Sequence, residues 1–302
     1  MKSPEKISSI SHLHRYLQLK KPSNPLISVF DFTEISVDPA TLLNAIITDF
    51  YVVALKKDCA GKFKYGQQYY DFDEGIMYFT APQQIMQFED ILLSEVKGSV
   101  LAIHPDLLQG YALAGEIRNY GFFSYSSNEA LHLSEREEKS VMDIIDNIRK
   151  EMEANMDAFT QDLLVSNIDL LLKYCDRFYS RQFLTRKKVN NNLLAKLENL
   201  LDYYFKSDQL IINGIPTVQF VAGELGMSSN YLSDMLRIQT GQTTQQYIQN
   251  RLIEKAKELL STTSMSVSEI AYQLGFEHPQ SFHRLFKNKM SVSPLEFRDS
   301  FS

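Results

Sequence analysis

Cysteine is scarce in this 302-residue sequence: only Cys59 and Cys175, far apart and in no C-x-x-C arrangement. That excludes a disulfide framework and a thiolate metal cluster, so both are expected as ordinary thiols in a reducing compartment. Long apolar runs are missing too. The longest are a handful of residues, such as Tyr51–Leu55, far short of the roughly 20 needed to span a bilayer. Residues Met1 to Ser11 alternate charge and serine with no apolar stretch, so no secretory signal is expected and the cytoplasm is the expected location. Histidine is sparse as well. His12 and His14 sit in a polar N-terminal segment, His104 precedes Pro105, and His132 lies beside a helix start. The candidate strands contain no His-x-His pair, so no metal site, no cofactor and no metal-dependent enzyme activity are expected.

Strong positive charge is the last absence, and its distribution matters. The formal net charge is −6. Residues 186–302 carry 13 Lys/Arg against 11 Asp/Glu, a net of +2, and the remainder carries 18 against 26, a net of −8. The acidity therefore belongs to the N-terminal part, yet +2 is feeble beside the usual footprint of a DNA-binding domain. Charge alone does not point to nucleic acid. With 44% hydrophobic and 23% charged residues, the chain has material for two globular domains.

Residues about 26–103 read as short β-rich segments punctuated by Gly, Asp and Pro. Phe50–Lys56, Gly61–Tyr65, Gln68–Phe72, Ile76–Thr80, Ile85–Phe88 and Ser99–Ile103 each fit a strand of about five residues. Asp58–Gly61 and Asp73–Gly75 supply turn chemistry. Such spacing predicts an antiparallel sandwich or a small barrel. Tyr51, Phe63, Tyr65, Tyr69, Phe79, Phe122 and Tyr125 are read as core, with a ligand-lining role as the alternative. From His104 the pattern turns helical. Ser134-x-x-Glu137 is a capping box opening a stripe of Val141, Ile144, Ile145, Ile148 and Met152. A second helix is expected over about 158–183. The two long amphipathic helices at 134–183 either fold back on the strands or pair with another subunit. Arg186–Lys188 and Asn190–Asn192 read as a polar linker, which divides the chain into domains 1–185 and 186–302.

The second domain repeats itself at a period of about 50 residues. Val221-Ala-Gly-Glu-Leu-Gly226 lines up with Ile270-Ala-Tyr-Gln-Leu-Gly275, and Leu232, Met235 and Leu236 match Phe282, Leu285 and Phe286. Each copy reads as a short helix stopped by glycine, a turn, and a second helix with one apolar face. Ala222 and Ala271 allow close helix approach, and Gly226 and Gly275 end the first helices. That is a helix-turn-helix, whose second helix presents its polar face to a major groove. The outer faces carry Asn230, Ser233 and Arg237 in the first copy, and Gln280, Ser281, His283, Arg284 and Lys287 in the second. Arg can make two bonds to guanine, Gln can do so with adenine, and Lys meets phosphate. Thr244–Ser261 reads as one helix joining the copies.

At these residues the sequence resembles a known family. The run Ile270-Ala-x-x-Leu-Gly-Phe-Glu-x-Pro-x-x-Phe-x-Arg-x-Phe-Lys, followed by Ser-Pro-x-x-Phe-Arg298, is similar to the signature of AraC/XylS transcription regulators. The resemblance covers about the last 100 residues. It implies a double helix-turn-helix domain after an N-terminal cupin-like barrel that takes a small-molecule effector, with helices that dimerise. The expected fold is therefore α+β: a small antiparallel cupin-like β-barrel with helices, then an all-α double helix-turn-helix domain.

The expected function is sequence-specific regulation of transcription without catalysis. The expected partners are double-stranded DNA, RNA polymerase, a second copy of the chain and a small-molecule effector, with no membrane. An effector-independent regulator controlled by abundance or a protein partner is the alternative. The copies are not equivalent, because Asp234 stands where the second copy has Arg284. A carboxylate there repels phosphate, so the second copy is expected to dominate affinity.

Overall fold

The structure, a computed structural model, describes residues 4–37, 45–57, 63–65, 68–70, 75–86, 97–185 and 187–301. The chain divides into two compact units, Met1–Gln182 and Phe183–Ser302.

The first unit opens with β1 (Glu5–Ile7), α1 (Ile10–Tyr16), β2 (Ile27–Asp31) and β3 (Ile46–Thr48). There follow β4 (Tyr51–Lys57), β5 (Phe63–Tyr65), β6 (Gln68–Tyr70), β7 (Ile76–Thr80), β8 (Ile85–Met86) and β9 (Lys97–Ile103). A one-turn helix α2 (Leu113–Glu116) and β10 (Leu131–His132) precede α3 (Glu135–Glu153) and α4 (Thr160–Thr185).

Five strands form one antiparallel sheet in the order β10-β7-β4-β9-β2, with Val53 opposite Leu101 and Leu55 opposite Met77. Strand β4 shows the alternation of a sheet with two different faces: Tyr51, Val53 and Leu55 are fully buried, while Val52, Ala54 and Lys56 are half-buried. One face meets α1 and the small sheet β1-β3-β8 through Ile7, Ile10, Leu13, Phe30, Val100 and Ala102. The other face meets α3 and α4. Cys175 on α4 places its sulfur 3.8 Å from that of Met77, and Arg149 on α3 donates to Asp31 at 2.8 Å. The stripe Val141, Ile144, Ile145 and Ile148 is buried, so the long helices do fold back on the strands.

The expected barrel is not what the described strands build. The main sheet ends in two separate edges, β2 and β10, and β10 has only two residues with which to continue pairing. Sequence-distant elements supply two layers where a barrel would need closure: α3 and α4 on one face, and α1 with a parallel β1-β3 pairing on the other. Neither β1 nor β3 was anticipated.

Among the aromatics, Tyr51, Phe79, Phe122 and Tyr179 are buried against one another or their neighbours. Phe79 and Phe122 ring centres are 4.5 Å apart, and Phe122 stacks on Tyr179 at 5.6 Å. This is core packing, as expected. His14, read as part of a polar segment, is instead buried, with its Nε2 2.7 Å from the Ser28 hydroxyl and its Nδ1 bonded to the Lys20 carbonyl. Cys59, the Asp58–Gly61 turn, Asp73, and the side chains of Phe63, Tyr65 and Tyr69 fall outside the described residues.

The second unit is helical: α5 (Lys187–Lys206), α6 (Gln209–Asn213), α7 (Val218–Glu224), α8 (Ser229–Thr240), α9 (Thr244–Thr262), α10 (Val267–Gln273), α11 (Pro279–Met290) and α12 (Pro294–Asp299). The stretch expected as a linker is a correction, because Lys187, Lys188 and Asn190–Asn192 begin helix α5. Leu193, Leu197, Leu201 and Tyr204 are buried at helical spacing, so an apolar stripe lying just beyond the polar residues draws them into a helix. Helix α5 is tied to α9 by the Tyr247 hydroxyl donating to Glu198 at 2.9 Å and by an Arg251–Asp202 ion pair. Burial, then that bond to Glu198, pushes the Tyr247 pKa up to about 12.

Candidate nucleic-acid interface

The two copies close their first helices in the same way. The amide of Met227 donates to the Ala222 carbonyl at 2.9 Å, and that of Phe276 to the Ala271 carbonyl at 3.0 Å. Gly226 and Gly275 donate to Gly223 and Tyr272, each at 3.0 Å. This six-to-one and five-to-two pair is the Schellman ending, which needs the penultimate residue in the left-handed region. Gly226 has φ +69° and Gly275 φ +79°. The repeat in sequence is thus a repeat of backbone hydrogen bonds.

The helices that follow are held by their apolar sides. Leu232, Met235 and Leu236 are buried in α8, and Phe282 and Phe286 in α11, with Leu285 half-buried. Ser228 caps α8 by accepting from the Tyr231 amide at 3.2 Å. Helix α10 begins with the Ser266–Glu269 capping box. Helix α11 starts with Pro279 in its first turn, where a missing N–H costs nothing. The tail of the signature has a structural account too. Ser293 and Glu296 form a capping box, Pro294 opens α12, the Phe297 ring lies 5.5 Å from that of Phe286, and Arg298 donates to the Leu260 carbonyl.

The outer faces differ. Gln280, Ser281, His283, Arg284 and Lys287 are all exposed on α11. Among the described residues no carboxylate stands within ion-pairing distance of Arg284 or Lys287. On α8, Asn230 is exposed, but Ser233 is half-buried and shares a 3.0 Å hydrogen bond with the Thr244 hydroxyl. Ser233 therefore helps join α8 to α9. Arg237, the single cation of that helix, donates to Asp234 at 3.1 Å. The first helix offers a neutralised pair where the second offers cations with no ion pair among the described residues.

Sequence reasoning missed two features here. Ser291 holds φ +63° at the end of α11, where Gly241 caps α8 at φ +72°. The pairing of Ser291 with Gly241 in the repeat was the available signal. Helices α5 and α6 also form part of this unit: the Tyr204 hydroxyl donates to the Gly214 carbonyl at 3.0 Å, and Gly214 packs beside Gly275. Among the described residues no three His, Cys, Asp or Glu side chains are grouped to hold a metal ion, and no helix is long and apolar enough to cross a membrane.

Comparison with known proteins agrees with this architecture. A family model described as "Helix-turn-helix domain" matches residues 221–300. The HTH-type transcriptional activator RhaS of Escherichia coli is 36% identical over 78 residues, covering 26% of this chain and 28% of the activator. Histidine kinase P4 of Formosa agariphila is 26% identical over 119 residues, covering 39% of this chain and 8% of the kinase. Among solved structures, the C-terminal domain of the two-component response regulator yesN from Fusobacterium nucleatum is 32% identical, with a TM-score of 0.32, covering 35% of this chain and 98% of that one. The chain spans less than a third of the length of either curated relative. The signature read in the sequence, the duplicated Schellman endings and the family match converge: residues 221–300 of this chain are a helix-turn-helix domain of the AraC type.

Proposed function

We propose that this protein is a sequence-specific DNA-binding regulator of transcription. The carrying observation is the exposed face of α11, where Gln280, Ser281, His283, Arg284 and Lys287 stand together with no ion-pairing carboxylate among the described residues. Buried Phe282 and Phe286 fix that face relative to the rest of the domain. Arg284 and Gln280 would read base edges and Lys287 a phosphate. Helix α8 would contribute Asn230 and Arg237, with Ser233 supporting them through Thr244. RNA polymerase is the partner at the promoter. Residues 186–302 would serve DNA binding and residues 1–185 sensing and self-association.

The second copy of the chain is the proposed partner of α4. Leu163 and Leu170 are 48% and 45% exposed and lie seven residues apart on its outer face, continued by exposed Phe159 and Met156. An apolar stripe with that spacing suits a facing helix. A DNA-binding unit of weak net charge gains useful affinity from a second copy. The N-terminal unit packs its aromatics on themselves, which favours assembly over an aromatic ligand cavity as its role; a small-molecule effector remains part of the proposal only through the family resemblance.

The test is genome-wide mapping of bound sites, followed by fluorescence anisotropy on the sites found. A shared sequence motif bound at least 1,000-fold over random DNA, in line with about 10³–10⁷ for specific binders, supports the reading. Binding to random duplex with equal affinity refutes it. Sedimentation of Leu163→Glu/Leu170→Glu beside wild type tests the dimer, which fails if both sediment alike.

A further inference from the structure

A cleft of about 940 Å³ opens between the two helix-turn-helix motifs. One wall is α11, with Arg284, Asn288 and Lys289. Another is the start of α9, with Gln245 and Gln249, and Thr217 at the start of α7 closes the side toward the first motif. Three observations bear on what belongs there. Arg284, from the proposed reading face, is also a wall of the cleft, so the cleft and that face are one continuous surface. Among the described residues no carboxylate lines it, in a unit that carries 11 Asp and Glu against 13 Lys and Arg. A smaller cavity of the unit, about 240 Å³, is the opposite case: Asp202, Glu254 and Glu258 stand in it beside Lys206, Arg251 and Lys255. Among the described residues, acidic side chains are thus absent from the cleft between the motifs and present in the smaller cavity.

We infer that this cleft seats the sugar–phosphate backbone of the duplex between the segments met by the two motifs, with Lys289 as its cation and Thr217, Gln245, Gln249 and Asn288 as neutral donors. The inference rests on the DNA-binding reading above and adds a set of residues to it. Gln, Asn and Thr donate hydrogen bonds to phosphate oxygens without reading bases, and Lys neutralises a phosphate as a point charge. Lys289 is exposed and, among the described residues, has no ion-pair partner. The seat therefore anchors position and register, while sequence is read on either side of it. Together the five residues hold one continuous duplex against both motifs.

The test uses the full chain and a bound site from the genomic map. Binding of wild type, Lys289→Ala and Gln245→Ala/Gln249→Ala is followed by anisotropy between 50 and 200 mM salt, on matched and base-substituted duplexes. Losing one phosphate contact lowers the salt slope by about 0.9. Raising salt over that range should then weaken wild type about 3.5-fold more than Lys289→Ala. The base preferences of all variants should equal those of wild type. Duplexes with single methylphosphonate linkages locate the contact: neutralising one linkage between the two half-sites should weaken wild type and leave Lys289→Ala unchanged. The inference is overturned if Lys289→Ala keeps the wild-type slope, if its loss depends on base sequence, or if no central linkage matters. Should wild type itself show no sequence preference, the DNA-reading proposal fails instead, which is a separate result.

Discussion

The carbonyl oxygen of Leu210 stands 2.6 Å from the point where a Cβ on Gly275 would be, and the Cα of Gly214 stands 3.1 Å from it. Gly226, the equivalent residue of the first motif, has nothing within 4 Å of that point. Both glycines hold positive φ, so both alanine variants incur a left-handed penalty of about 1–2 kcal/mol. Only Gly275→Ala adds backbone overlap, which neither neighbour can relieve by turning a side chain, for about 1–3 kcal/mol more. Thermal unfolding should show Gly275→Ala several degrees below Gly226→Ala. Equal shifts would mean that α6 does not hold this position in solution.

Ser291 is strained in the same sense. It is exposed and holds φ +63°, and a serine gains nothing there that glycine lacks. Ser291→Gly should stabilise the protein by about 1 kcal/mol, the reverse of the usual effect of a new glycine. Urea unfolding checks the sign.

The ion pair on α8 gives opposite predictions for the two motifs. Arg284→Ala should weaken specific binding by about 1–3 kcal/mol and relax preference at one base pair. Asp234→Ala should strengthen binding a few-fold with little change in preference, because it removes a negative charge from the DNA-facing side and releases Arg237. Anisotropy on one site resolves both, and wild-type affinity in Arg284→Ala would refute the dominance of the second motif.

Acid stability depends on the clamp between α3 and the sheet. The Arg149 guanidinium and then the Ser99 hydroxyl, opposed by burial, hold the Asp31 carboxyl below its ordinary value of 3.8. A carboxyl with a depressed folded pKa contributes in full above its unfolded pKa and loses that contribution as pH falls through the folded one. Asp31→Asn should therefore be less stable than wild type at neutral pH, and the gap should close below about pH 4. Both partners are about one-third exposed, so screening limits the gap to about 1 kcal/mol. A gap that is constant from pH 7 to pH 3 would refute the assignment.

Burial pushes the Cys175 thiol well above its ordinary value, so the thiolate that reacts is scarce. In a Cys59→Ser background, a maleimide reagent should label Cys175 only after denaturation. Labelling at the rate of a free thiol in buffer would count against its place beneath α4.

The two helix-turn-helix motifs of the second unit were legible because their signals are local, whereas α5, at its start, read as a linker. The capping box at Ser266, glycines at 226 and 275, and apolar spacing at Phe282 and Phe286 each act within a few residues of the structure they specify, as does the capping box at Ser134 in the first unit. The strand at Ile76–Thr80 was read to its ends for the same reason. Sheet closure is not local. Whether β2 meets β10 depends on partners a hundred residues apart, and nothing in either strand announces an edge. His14 misled because its polarity speaks for the surface, while Ser28 and the Lys20 carbonyl, which satisfy it inside, are invisible until the chain folds. Residue type placed Ser233 on the outer face of α8 but could not show that it is committed to Thr244. Thr217, Gln245 and Gln249 were missed for a related reason: they come together only through the arrangement of three helices.

The Asp234–Arg237 pair also bears on direction. Two interchangeable motifs would let one subunit settle on its site facing either way along the duplex. With the cation of the first helix neutralised and those of the second without an ion pair among the described residues, the two headings would be unequal in energy. On the proposed DNA-binding reading, a bound subunit would then carry a front and a back, and inverting its site would not be neutral.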